Sequence, residues 1–218
     1  MRRLVSVTAL FLAAFLLWGT SGRGAAADRS DELAGQVEEK YRSLSSLSMD
    51  FVKITRSEIF ETESRIKGKM LLKNPEKFRI ETKDEIIVCD GKFVWSYSVE
   101  NQQVIKNLAD RSERVFKPNQ YLADFRSGYV PRLTGEEKID NARCFVLSLS
   151  AKDEEVFIKK MTVWVDKKRL LAKKLEYTDS NDNQVTLSFQ RVKTNRKIKD
   201  SEFIFQTPPG VEELDLSE

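Results

Sequence analysis

The 218-residue sequence carries 37 Lys and Arg, 34 Asp and Glu, and no His. Without His there is no Ser-His-Asp or Cys-His nucleophile pair and no His-ligated metal site. The near balance of charge gives nucleic acid no overall electrostatic attraction.

In chain order, residues 1–27 read as an export signal. Arg2 and Arg3 precede an uncharged apolar run from Leu4 to Trp18, and Ala25-Ala26-Ala27 offers a small-residue cleavage site. The run is shorter than the ~20 apolar residues that span a bilayer. No Cys follows it, which excludes a lipid-modified N-terminus. The expected mature chain, 28–218, is soluble and periplasmic. Losing Arg2, Arg3 and Arg23 leaves it 34 charges of each sign.

Ser30 to Leu47 is the long helix candidate: Leu33, Val37, Tyr41 and Leu44 fall on one face, and Asp31 and Glu32 suit its first turn. From Leu47 the period changes to two. Met49 and Phe51 share a face, then Ile66, Gly68, Met70 and Leu72, with Lys67, Lys69 and Lys73 opposite. Phe78 and Ile80 alternate with Lys77, Arg79 and Glu81. Gly68 inside a strand signals a bend or a close approach of backbone. Asp90-Gly91 predicts a two-residue hairpin in which Val88 faces Phe93 and Ile86 faces Trp95. Ile86, Val88, Phe93, Trp95 and Tyr97 then share a face, which the aromatic rings mark as the inner one.

Pro118 to Arg126 predicts one short helix with Tyr121, Leu122 and Phe125 in its apolar stripe and Gly128 just beyond its end. Strands resume at Val130–Ile139, Arg143–Ser150, Phe157–Asp166, Leu170–Thr178 and Gln184–Val192, with Phe203-Ile204-Phe205 in the tail. The total is about eleven strands, and no repeat or composition break divides them. A sheet of that size closes, splits or curls. A curled sheet with helices over its mouth uses both amphipathic helices. Periodicity leaves a solid core and an open apolar cavity as alternatives.

Several segments carry a family resemblance: Leu47–Phe51 (LSMDF), Gly68–Arg79 (GKMLLKNPEKFR), Val88–Tyr97 (VCDGKFVWSY), Asn101–Ile105 (NQQVI) and Phe203–Val211 (FIFQTPPGV). In order and spacing these resemble the LolA family of periplasmic lipoprotein carriers. The resemblance implies a single mainly β domain, an unclosed antiparallel barrel of eleven strands under a helical lid. It implies a carrier, not an enzyme, that takes lipoprotein acyl chains from an inner-membrane LolCDE-type ABC transporter and delivers them to a LolB-type outer-membrane acceptor or to the membrane itself. The expected carrier is a monomer without cofactor or metal. Met49, Phe51, Met70, Leu72, Phe78, Ile80, Ile86, Val88, Phe93 and Trp95 become the acyl-chain surface. Leu33, Val37, Tyr41, Leu122 and Phe125 become the lid. Family members place a lid-latching Arg at the position of Asn74, which donates fewer hydrogen bonds and has no charge. A carrier or sensor of another amphiphile, such as a glycolipid, shares every feature read from the residues alone.

Carboxylates such as Asp50, Asp84, Asp90 and Asp166 fall in turns or on polar faces, and no acid/base pair emerges. In a simple meander Cys89 and Cys144 lie about four strand spacings of ~4.8 Å apart, too far for a disulfide. Basic clusters at Lys159-Lys160, Lys167 to Arg169, Lys173-Lys174 and Arg191 to Lys199 read first as solvated outer faces.

Overall fold

The computed structural model describes residues 21–112, 116–153, 156, 158–179 and 181–217. The apolar run Leu4–Trp18 and Phe157 lie outside them. Helix α1 spans Ser21–Ser43, so it begins ahead of Ser30, runs through Ala25–Ala27 and ends before Leu47. Six strands follow as a meander: β1 (Ser46–Ser57), β2 (Thr62–Lys73), β3 (Lys77–Thr82), β4 (Glu85–Cys89), β5 (Phe93–Ser98) and β6 (Gln103–Leu108). Two short helices, α2 (Pro118–Leu122) and α3 (Phe125–Gly128), cross to a second meander. That meander comprises β7 (Tyr129–Ile139), β8 (Ala142–Ala151), β9 (Lys160–Asp166), β10 (Ala172–Thr178) and β11 (Gln184–Thr194).

One sheet holds all of these strands and a C-terminal β12 (Glu212–Asp215), in the order β12-β6-β5-β4-β3-β2-β1-β11-β10-β9-β8-β7. The last meander strand therefore lies beside the first. β7 and β12 form the two edges, so the barrel is unclosed. β12 is a twelfth strand absent from the sequence reading, and it pairs parallel to β6. In the tail, a 3-10 turn at Asp200–Phe203 is followed by extended chain. The expected single helix over Pro118–Arg126 breaks in two at Ala123-Asp124, whose N–H groups both donate to the Asn119 carbonyl (2.8 and 3.0 Å). Gly128 closes α3 rather than following it.

Gly68 shows why one strand residue must lack a side chain. It pairs with Phe51 across β1–β2, and a Cβ there would lie 2.3 Å from Phe51 Cζ and 2.6 Å from the Glu81 carbonyl oxygen. The Phe51 ring lies over the glycine backbone and fills the concave side.

The β4–β5 turn corrects the expected register. Asp90 Oδ1 accepts the N–H groups of Lys92 and Phe93 (both 2.8 Å), and the Asp90 N–H donates to the Phe93 carbonyl (3.2 Å). The central residues are thus Gly91 and Lys92, with Gly91 at φ +102°. Glycine adopts that angle freely at the first central position of a II′-type turn. Cys89 faces Val94, Val88 faces Trp95 and Ile86 faces Tyr97, a shift of two residues. An even shift keeps each face's membership, so the aromatic set stays together.

The facing, however, is the reverse of the expectation. Ile87, Cys89 and Val94 point into the concave core, whereas Ile86, Val88, Phe93 and Trp95 lie on the convex side. The physical reason is that β4 is buried on both faces, so apolarity alone does not tell them apart. The C-terminal segment covers the convex face. Phe205 stacks on Trp95 (6.4 Å) and packs on Tyr97 (6.3 Å), and Phe203 is 1% exposed in the turn against β3. Asp200 Oδ1 accepts from Lys73 (3.1 Å) and Lys77 (2.9 Å). The VCDGKFVWSY and FIFQTPPGV segments are therefore two halves of one packing unit.

Cys89 and Cys144 are free and buried. Six strands separate β4 from β8, rather than the three that a simple meander gives.

Candidate functional site

The concave face and the helices over it form one apolar body. Leu47, Met49, Phe51, Met70, Leu72, Phe78 and Ile80 from β1–β3 continue through Ile87, Cys89 and Val94. The second meander completes the face from the residues that the alternation aligns, with Leu147, Met161, Val163, Leu175, Leu187 and Phe189 among them. Leu33, Val37 and Tyr41 of α1 and Leu122 and Phe125 of α2 and α3 are buried in the same cluster, each 7% exposed or less. So the structure brings together six of the ten residues expected on the acyl-chain surface with all five expected in the lid. Ile86, Val88, Phe93 and Trp95 belong on the far side of the sheet.

Polar contacts at three points fix the helices. The first is the C-terminus of α1, whose last carbonyls lack intrahelical donors. The Asn74 amide fills that role, donating to the carbonyls of Tyr41 (3.0 Å), Arg42 (3.2 Å) and Leu44. The other side of the same β2–β3 turn holds α2, since the Asn119 amide donates to the Pro75 carbonyl (3.0 Å). Lys73 does not reach the lid; it bonds the Ile198 carbonyl and Asp200.

The second point is Tyr41. Its hydroxyl accepts the Ala172 N–H at 3.0 Å inside the core, and burial pushes the phenol up to about 12.

The third point was missed from sequence. The Glu38 side chain is 2% exposed. It accepts the Arg126 backbone N–H (2.7 Å), Arg126 Nε (2.8 Å) and an Arg42 guanidinium N–H (3.3 Å). Arg126 also donates to Asp31 (3.2 Å) and lies against Gly35, where a Cβ would sit 3.2 Å from the guanidinium. Asp31, Gly35 and Glu38 thus make a seat for Arg126 on α1, joining α1 to α3. The signal was present: Glu38 is an acid beside Val37 and Tyr41 in the helix's apolar stripe.

Toward the Ser57–Thr62 turn the concave face becomes polar. Lys53, Thr55 and Tyr177 are half-buried there. Burial raises Glu85, and the Lys53 charge opposes that rise. Burial raises Tyr129 and Tyr177 as well. Tyr129 donates to the Ile158 carbonyl at 2.8 Å. Among the described residues no group of three or more Cys, Asp or Glu is placed to hold a metal ion, and no helix is long and apolar enough to cross a membrane.

The concave face is thus one continuous apolar surface packed under latched helices. Comparison with known proteins places this fold in a family. The family model described as "Outer membrane lipoprotein carrier protein LolA" matches residues 42–206. The chain belongs to the LolA family. Among LolA-named relatives, an outer-membrane lipoprotein carrier protein of Haemophilus influenzae is 30% identical over 212 residues, 94% of this chain and 95% of that protein. An uncharacterized protein of Methanocaldococcus jannaschii is 29% identical over 205 residues; the match takes in 92% of this chain but 58% of that protein. An uncharacterized conserved protein from Thermus thermophilus has the same fold, with a TM-score of 0.59 at 12% identity, covering 86% of this chain and 99% of that one.

Proposed function

We propose that this LolA-family chain is an exported periplasmic carrier that shields lipoprotein acyl chains against its concave face. The observation that carries the reading is the single cluster shared by sheet and lid: the same apolar surface is closed by α1–α3 or available to a ligand. The acyl-chain residues in this reading are Met49, Phe51, Met70, Leu72, Phe78 and Ile80, with Ile87, Cys89 and Val94 replacing the four on the convex side.

Magnitudes support an exchange. A buried methylene contributes about 0.8 kcal/mol, so one long acyl chain brings on the order of 10 kcal/mol. Each large apolar lid side chain contributes roughly 1.5–3 kcal/mol on burial, as an upper bound. Leu33, Val37, Tyr41, Leu122 and Phe125 together then offset most of what one chain brings. Such a balance permits both capture and release. In this reading a LolCDE-type transporter in the inner membrane loads the protein, and a LolB-type acceptor or the outer membrane itself unloads it. The carrier works as a monomer and catalyses no reaction.

Native mass spectrometry of the protein purified from an exporting Gram-negative host tests the reading. Co-purified triacylated lipoprotein, lost in Phe78→Glu while the circular dichroism spectrum is retained, is the expected result. Recovery of a glycolipid without lipoprotein would replace the cargo, and unchanged loading of Phe78→Glu would remove the concave face from the account.

A further inference from the structure

The convex face carries a feature that acyl-chain binding does not use. A groove of about 500 Å³ runs between β2–β3 and the chain leading into the 3-10 turn. Leu71 and Ile198 form its apolar floor, and Lys69, Lys197 and Lys199 stand on its rim. Register places Lys67 on the same face of β2, and Lys193 beside Ser48, which also lines the groove. Arg196 precedes Lys197. These six cations are all exposed, and among the described residues none has an ion-pair partner. The basic run Arg191–Lys199, which spans the end of β11 and the chain after it, is thus joined in space to the lysines of β2.

Nearby acids are otherwise engaged. Glu81 pairs with Arg79, Asp50 with Arg191, and Asp200 with Lys73 and Lys77. Glu202 contributes its carbonyl to Arg79 (3.2 Å) and is the one further carboxylate on the lining. The expected mature chain is neutral, so this is a segregated positive patch rather than a share of a general excess. The Lys73–Ile198 bond and the Asp200 pairs fix the groove wall, so the site exists before anything binds.

We propose that this groove is the docking site for an extended acidic segment of a partner protein, in which carboxylates meet the rim lysines and an apolar side chain rests on Leu71 and Ile198. A walled trough with an apolar floor suits a chain rather than a planar lipid surface, which would meet only the lysine tips. The site is separate from the concave face, so failure of the cargo reading leaves it standing.

The test uses the full mature chain and two probes. One is a fluorescein-labelled ten-residue peptide of alternating Glu and Leu; the other is vesicles of 70% phosphatidylcholine and 30% phosphatidylglycerol. Peptide binding should weaken roughly tenfold or more in K69E/K197E/K199E, as reversal of several rim charges implies, and remain within about twofold in the charge-matched control K159E/K160E/K173E. A photocrosslinking residue replacing Leu71 should capture the peptide. Equal losses in both triple variants, or absence of a Leu71 crosslink, would overturn the groove. Vesicle binding with no peptide binding would overturn the choice of partner.

Discussion

Replacing Arg126 by Ala should loosen the lid without melting the sheet. The substitution removes the Nε bond to Glu38 and the exposed contact with Asp31, while the backbone N–H bond and Arg42 remain. A hydrogen bond to a charged group contributes about 1.5–3 kcal/mol, and breaking a wholly buried pair costs about 3–5 kcal/mol. Glu38 is 2% exposed, but the Arg126 side chain is 34% exposed, so water enters when it leaves and the lower range applies. The exposed Asp31 contact adds under about 1 kcal/mol. A loss of about 2–3 kcal/mol raises the opening equilibrium of α1 roughly 30- to 150-fold. Hydrogen exchange should therefore accelerate by that factor in the amides of residues 30–43, with β1, β2 and β11 amides changing little. Replacing both partners, Glu38→Met with Arg126→Met, should restore only part of the protection, because it removes the under-paired buried carboxylate but also the acceptor of the Arg126 backbone N–H. The reasoning fails if Arg126→Ala leaves α1 exchange unchanged, or if α1 and sheet amides accelerate together.

Further expectations concern other elements. Gly68→Ala should cost about 1–3 kcal/mol in urea denaturation through the clash with Phe51 and the Glu81 carbonyl, and Phe51→Leu should recover part of it. Tyr41→Phe leaves the buried Ala172 N–H without its acceptor, a loss of about 1–3 kcal/mol readable as a lower urea midpoint. Trp95→Ala should lower the midpoint by loss of the Phe205 contact yet leave lipoprotein loading intact, whereas Phe78→Glu, at a position 3% exposed in the concave core, should lower both. Asp215 is held down to about 2, chiefly by its bond from Lys106. A lowered carboxylate stabilises above its unfolded value of 3.8 and loses that contribution as pH falls toward 2, so the Asp215 contribution to the β12–β6 pairing should fade only across that window. A carboxyl NMR titration of Asp215 with its midpoint near 3.8 would contradict the pairing.

Strand positions were legible because lysines and apolar residues alternate cleanly in β2, β3 and β8–β11. Facing was legible where only one side is apolar, as in Met70 and Leu72 against Lys69 and Lys73. It failed at β4 and β5, where both sides are apolar and the covering residues, Phe203 and Phe205, are distant in sequence. The turn at Asp90 misled for a local reason: the Asp side chain caps the loop from outside its two central residues. Asn74 was read as a weaker latch on the grounds of its lost charge. Its contacts are backbone carbonyls at a helix end, which need N–H donors rather than a cation.

The pairing of β1 with β11 has a consequence for how the chain acquires its shape. Phe51 meets Phe189, and Asp50 meets Gln190, across most of the sequence. The two meanders can each form from local hairpins, but the trough between them exists only once β11 has arrived. A topology dominated by such distant contacts assembles slowly, since a long loop must close before the pairing stabilises it. The early strands can pair only with one another, and the continuous concave face is created in the last step, when β11 closes on β1.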